Sequence, residues 1–283
     1  MIDLHTHTNC SDGSDSPEEL IDKAVAKGLT ALAITDHDTV DGLDRAINHA
    51  KDKGIRLIPG IELGTEYHGK DIHIVGLNID KEAEEFADYL KRFVESRDIR
   101  NEKMCALLTE AGMPVTYDEL KETFPGSVIT RAHMARYLFM KGYTTYLKEA
   151  FERYIGDQGP CYLPREKITA MEGVALIRKA KGIPVLAHPL LYKMSWDRIE
   201  ELVDELIPEG LLAMEAVYST NTSGDEARSR QFAADKGILI SGGSDYHGVV
   251  KPDIDLGTGR GKLYVDEEIL EKLLEKQKEV YGS

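Results

Sequence analysis

Positive charge, cysteine and long apolar runs are all scarce in this chain, and each shortage narrows its class. Only three cysteines occur among 283 residues. Cys10, Cys105 and Cys161 are far apart and show no C-x-x-C spacing, so neither a disulfide framework nor a cysteine zinc site is expected. A reducing, cytoplasmic setting fits that usage. No stretch approaches the ~20 apolar residues of a membrane span, and the opening Met-Ile-Asp-Leu-His lacks a basic region followed by an apolar one. A soluble protein without a membrane partner is expected. Lysine and arginine number 35 against 50 aspartates and glutamates, a formal charge of −15. That balance disfavours a broad grip on nucleic acid and argues against long duplexes as partners, although bound divalent cations would offset part of it locally. There is no repeat of fixed period and no low-complexity tract. The length suits one large α/β domain, or one domain with an insertion.

Short apolar runs alternate with helical patterns. Residues 1–4 read as a strand, and Ser16-Pro17-Glu18-Glu19 opens a helix that closes at Gly28. Residues 29–35 form an uninterrupted apolar run, the pattern of a strand covered on both faces. A helix at about 42–53 and strands at 55–61 and 72–77 follow. The alternation then stops. Residues 81–112 give a long charged helix, and 114–164 a different texture with helices at 131–141 and 145–154 before a Gly156-Asp157-Gln158-Gly159-Pro160 turn. Residues 99–165 are read as a small helical insertion, and 1–98 with 166–283 as the main domain. In the insertion, Phe139, Tyr143 and Tyr146 at helical spacing are expected in its core. The alternation resumes with helices at 170–181, 196–207 and 224–236 and strands at 184–187, 211–217 and 238–241, and a packing helix starts at 266. Seven strands alternating with helices predict a closed or nearly closed parallel barrel.

In such barrels the functional site lies at the C-terminal ends of the strands. His5, His7, Asp12, His37, Glu62, His188, Asp245 and His247 all fall at or just after predicted strand ends, and His73 lies within a strand that could face the same mouth. Six of the nine histidines belong to this set, while His49, His68 and His133 do not. Scattered structural histidines would not segregate so well. His5 and His7, one residue apart on a strand, point the same way and can share a cation. Imidazole suits zinc, manganese or iron, and a loop carboxylate such as Asp12 suits a harder or second cation.

Four blocks in this order resemble the polymerase-and-histidinol-phosphatase (PHP) family: Asp3-Leu4-His5-Thr6-His7 with Ser11-Asp12-Gly13, Thr35-Asp36-His37-Asp38 followed by Gly60-Ile61-Glu62, Ala187-His188-Pro189, and Gly243-Ser244-Asp245-Tyr246-His247. The resemblance implies a distorted seven-stranded (β/α)7 TIM-like barrel, and the insertion resembles that of stand-alone nucleotide phosphoesterases. It further implies three divalent metal ions, manganese first, with iron or zinc as alternatives. His5, His7, Glu62 and Asp245 would hold the first, Glu62, His73 and His188 the second, and Asp12, His37 and His247 the third. Two cations about 3.5–4 Å apart make hydroxide available near neutral pH and clamp phosphoryl oxygens. The implied reaction is attack of a metal-bridging hydroxide on phosphorus. Asp36 and Asp38 flank His37 and would orient imidazoles or water, with loop hydrogen bonds as the other reading.

Specificity is expected from the insertion. Arg131 begins a helix, where free N–H groups and a guanidinium together favour phosphate. His133 and Arg165 are further candidates on the same logic, against readings as groups facing the mouth or marking the exit from the insertion. The function expected is metal-dependent hydrolysis of a small phosphorylated metabolite, a nucleoside 3′,5′-bisphosphate or the 5′ end of a short single-stranded oligonucleotide. Histidinol phosphate or a ribose cyclic phosphate would use the same chemistry. An amidohydrolase-type deaminase and a non-catalytic nucleotide-sensing module are the readings from other classes. The oligomeric state is not legible.

Overall fold

Short, mostly apolar segments, several of them covered on both faces, form much of the barrel. The computed structural model describes residues 1–164 and 168–282. Its strands are β1 (Ile2–Asp3), β2 (Ala31–Ile34), β3 (Arg56–Tyr67), β4 (Lys70–Leu77), β5 (Ile183–Leu186), β6 (Ala213–Tyr218) and β7 (Leu239–Gly243), hydrogen-bonded in chain order. All residues of β2, β5 and β6 are buried, as expected of strands covered on both faces. Beyond β7 the chain returns to the start: Leu4 N–H donates to Gly242 O at 3.3 Å, His7 N–H to Tyr246 O at 2.9 Å, and Asp245 N–H to His5 O at 2.9 Å. The barrel is therefore nearly closed.

The sheet is mixed rather than parallel. β4 runs antiparallel to both β3 and β5, while the other pairs are parallel. The expectation failed because β3 continues six residues past Ile61 to Tyr67, leaving only His68 and Gly69 before β4. Both have positive φ, 49° and 76°. Two such residues make a tight hairpin, whereas a parallel return needs a crossover of a dozen residues or so.

The helices are α1 (Pro17–Ala26), α2 (Leu43–Ala50), α3 (Glu84–Glu110), α4 (Tyr117–Thr123), α5 (Arg131–Met140), α6 (Leu147–Ala150), α7 (Ala170–Lys179), α8 (Trp196–Glu209), α9 (Ser223–Lys236) and α10 (Glu267–Tyr281). Capping boxes start several of them. Ser16 Oγ accepts from Glu19 N–H, and Glu19 returns a carboxylate oxygen to Ser16 N–H at 2.8 Å. One apolar cluster joins Ile2, Leu4, Ala33, Val75, Val185 and Val217 of the barrel to Leu270 and Leu273 of α10.

The chain divides into two compact units, Met1–Asp88 with Lys167–Ser283, and Tyr89–Glu166. The second has its own core, with Met104, Leu108, Leu120, Met134, Leu138 and Ile155 among its members. It contains a helix the sequence reading passed over, α4, although Thr116 and Glu119 form a complete capping box before it. The helix expected at 145–154 begins at Leu147 and changes to a π-type segment at Phe151–Ile155. Phe139 and Tyr146 are exposed rather than core, at 44% and 50%. α5 ends at Met140, so the helical period does not run through to Tyr146; Tyr143 alone packs on the core. The three cysteines are free, buried thiols.

Candidate metal centre

Continuing the extended backbone of β1, residues 5 and 7 point inward while Thr6 is tied to the neighbouring segment: its hydroxyl donates to Ala33 O at 2.6 Å and its carbonyl accepts from Thr35 N–H at 2.9 Å. His5 and His7 are fully buried, their rings 5.2 Å apart. The following loop folds back sharply. A Cβ at Gly13 would lie 2.4 Å from the His7 carbonyl oxygen, so only glycine lets the loop close there. Its closure brings Asp12 Oδ1 to 3.3 Å from His247 Nε2 and 3.8 Å from His7 Nδ1.

Asp36 secures this loop. Its carboxylate accepts from Thr8 N–H at 2.8 Å, Thr8 Oγ1 at 2.6 Å and Ser11 Oγ at 2.6 Å. Asp38 sits at φ 57° and accepts from Gly64 N–H at 2.9 Å. These contacts tie Asp36 to the loop that carries Asp12 and Asp38 to the backbone of β3.

At the centre stands Glu62, 1% exposed. Oε1 lies 2.8 Å from His73 Nδ1 and 2.9 Å from His188 Nε2; Oε2 lies 3.1 Å from His5 Nε2, 3.1 Å from His7 Nε2 and 3.3 Å from His37 Nδ1. Five imidazoles thus converge on one carboxylate. His73 reaches it because β4 is reversed, which brings the early part of that strand to the barrel mouth, with His73 opposite Gly64. His188 is aimed by a left-handed kink after β5, φ 29° and ψ 54°. Asp245, at φ 58° beyond β7, places Oδ1 3.3 Å from His7 Nε2, and its Oδ2 accepts from Tyr218 Oη at 2.6 Å and Lys251 Nζ at 2.7 Å.

The nine candidate ligands fall into four overlapping groups: His7, Asp12, His37 and His247; His5, His7 and Asp245; His5, Glu62 and His188; and His37, Glu62 and His73. Within each, one ligand atom per residue lies within 4.8 Å of the others. Cations fit this donor set. His5 Nε2 and both ring nitrogens of His7 are buried without a hydrogen-bond partner, an arrangement proteins normally avoid. Burial alone would raise the Glu62 carboxyl, but the imidazoles of His37, His5 and His73 outweigh it and hold it well below the usual carboxylate range. Asp12 and Asp245 are likewise held ionised against burial, Asp12 by His247 and His37, Asp245 by Lys251 and His247. Burial pushes His37 down to about 3. Burial pulls His7 down too, but its contacts with Asp245 and Glu62 raise it to about 9, so without a cation it holds a proton between those acids.

Several contributors were not singled out from the sequence. Asp3, fully buried, accepts from Ser244 N–H and Oγ, Gly257 N–H and His5 N–H. Glu215 of β6 contacts His5 and His188, and Tyr192 Oη accepts from His73 N–H at 3.0 Å and donates to Ala187 O at 2.5 Å. The available signal was an acid isolated in an apolar strand, which is costly to bury unless it is paired. Of the three remaining histidines, His49 pairs with Asp22 at 3.0 Å, His68 makes the β3–β4 turn, and His133 Nδ1 accepts from Thr130 N–H at 3.0 Å at the start of α5 in the second unit. Arg131, in the second unit, pairs with Asp157 at 2.6 Å and lies over the Tyr162 ring at 5.0 Å. Arg165 lies outside the described residues.

The family model for the PHP domain matches residues 3–156. A 5′-3′ exoribonuclease of Haemophilus influenzae is 37% identical over 87% of this chain and 89% of its own. A 3′,5′-nucleoside bisphosphate phosphatase of Chromobacterium violaceum is 32% identical over 90% of each. Among solved structures, a chain from Bifidobacterium adolescentis, assigned as a metal-dependent phosphoesterase, superposes with a TM-score of 0.85 at 27% identity, over 96% of this chain and 95% of that one.

Proposed function

The chain belongs to the PHP domain family, and from that premise we propose that it is a manganese-dependent phosphoesterase acting on a small phosphorylated nucleotide. Its substrate on this reading is a nucleoside 3′,5′-bisphosphate or the 5′ end of a short single-stranded oligonucleotide. The observation that carries the reading is the ring of five imidazoles around the buried Glu62 carboxylate, with ring nitrogens that lack any other partner.

Three cations would be held by the nine residues grouped above, with His5, His7, Glu62 and Asp245 around the first, Glu62, His73 and His188 around the second, and Asp12, His37 and His247 around the third. Bound there, divalent ions supply an activated water and positive charge for the phosphoryl oxygens. Glu62 offers one oxygen to each of two neighbouring groups and so ties them together. Asp36 and Asp38 act through the loops: the first holds the Thr8–Ser11 segment that presents Asp12, the second anchors the backbone of β3 beside Glu62. Arg131, His133 and Arg165 of the helical insertion, residues 99–165, would recognise a phosphate of the substrate; a guanidinium stacked on Tyr162 and paired with an exposed carboxylate can exchange that partner for an anion. On composition, the setting is the cytoplasm.

Phosphate release by the manganese-loaded chain, screened against nucleotides, bisphosphates, 5′-phosphorylated oligonucleotides, sugar phosphates, ribose cyclic phosphates and histidinol phosphate, tests this reading. Turnover led by the nucleotide substrates supports it. Turnover confined to histidinol phosphate, or none, contradicts it.

A further inference from the structure

β6 carries one acid in an otherwise apolar run, Ala213-Met214-Glu215-Ala216-Val217-Tyr218, and every residue of it is buried. A carboxylate there requires donors on both oxygens to offset its lost hydration. Oε1 lies 2.9 Å from His5 Nδ1, and Oε2 accepts the His188 backbone N–H at 2.6 Å. The second donor is fixed, because a backbone amide N–H cannot accept. An ionised carboxylate can only accept, so a neutral His5 beside it carries its proton on Nδ1. That leaves Nε2, 3.1 Å from Glu62 Oε2 and 3.8 Å from Asp245 Oδ1 and without a hydrogen-bond partner, as the nitrogen open to a cation.

We propose that Glu215 is a positioning residue that fixes the Nδ1–H tautomer of His5 and, through the His188 N–H, the kink that aims His188, so that both imidazoles present Nε2 to a cation. The role rests on the metal-centre reading above. It distinguishes chemistry from packing. In Glu215→Gln one arm becomes a donor. The His188 N–H claims the amide oxygen, the NH2 group meets His5 Nδ1, and the His5 proton is driven to Nε2, the nitrogen the metal needs. Glu215→Asp is shorter by one methylene but keeps two accepting oxygens and the charge. A space-filling role would rank Gln above Asp, whereas the tautomer role ranks Asp above Gln.

Zinc serves as a diamagnetic probe. Its affinity for the full-length wild type, Glu215→Gln and Glu215→Asp, by competition with a chelator, is measured after circular dichroism of each metal-free form. The wild type's zinc-loaded imidazole 15N spectrum is recorded alongside, with His5 assigned by His5→Asn. The expected result is a proton on His5 Nδ1 in the wild type, about 10–100-fold weaker zinc binding by Glu215→Gln, and a smaller loss for Glu215→Asp. A wild-type His5 with unprotonated Nδ1, unchanged affinity in Glu215→Gln, or a greater loss in Glu215→Asp would each overturn the role. If Glu215→Gln does not fold, the wild-type spectrum decides. No zinc uptake by the wild type would overturn the metal centre itself, and this role with it.

Discussion

A single carboxylate facing five imidazoles sets the residue-scale behaviour of the centre. Glu62→Gln removes the charge that gathers them, and is expected to lower metal affinity by at least the about 10–100-fold lost with an outer-sphere partner. His68→Asn, at the β3–β4 turn, should bind metal as the wild type does; equal affinities in the two variants would remove Glu62 from the centre. The proton on His7 gives a pH dependence. In the metal-free chain its folded pKa of about 9 exceeds the usual 6.5, so this contribution to stability is complete below about 6.5 and lost as pH rises through about 9. A cation needs the neutral ring, so metal binding releases protons and strengthens over the same window. The melting-temperature difference between manganese-loaded and metal-free protein should therefore widen from pH 6.5 to 9; a constant or narrowing difference would contradict that proton's place. Much of this centre was legible because its ligand types stand at strand ends. Glu215 and Asp3 were not, since His5 lies 210 residues from Glu215, and Ser244 and Gly257 lie 241 and 254 residues from Asp3.

Individual elements aim these side chains. Arginine and histidine at the start of α5 are expected to act on substrate alone: Arg131→Ala should keep its metal and lose about 1.5–3 kcal/mol in kcat/KM for the natural nucleotide, the scale of a hydrogen bond to a charged group. A generic aryl phosphate should suffer less, and wild-type kinetics on the nucleotide would leave Arg131 as a partner of Asp157 only. The β3–β4 hairpin depends on Gly69, whose φ of 76° suits glycine and whose missing Cβ would meet nothing within 4 Å. Gly69→Ala should thus cost about 1–2 kcal/mol of stability by backbone strain alone, measured by denaturant unfolding; an unaffected midpoint would contradict the turn. This hairpin is also where sequence patterning misled. A run broken by Glu62, Glu66 and His73 looked like two short strands with a loop between them, because Glu62 and His73 turn into the barrel mouth instead of following the apolar period, while Glu66 is exposed and accepts from the Gly69 N–H of the turn.

For the whole molecule, a chain with net charge −15 concentrates ionised carboxylates and histidines in a largely buried barrel mouth, and that is stable only if something positive neutralises them. Protons do so in part; divalent cations do so more fully. The nearly closed barrel was predictable from its alternating runs, whereas its mixed direction required knowing where β3 stops. The most direct measurement of the central claim is phosphate release from a nucleoside 3′,5′-bisphosphate by one preparation in three states: as purified, stripped by chelator, and reconstituted with manganese, with metal counted per chain in each. Activity abolished on stripping and restored with up to three manganese ions per chain is the predicted result, and full turnover by demonstrably metal-free protein would contradict the account.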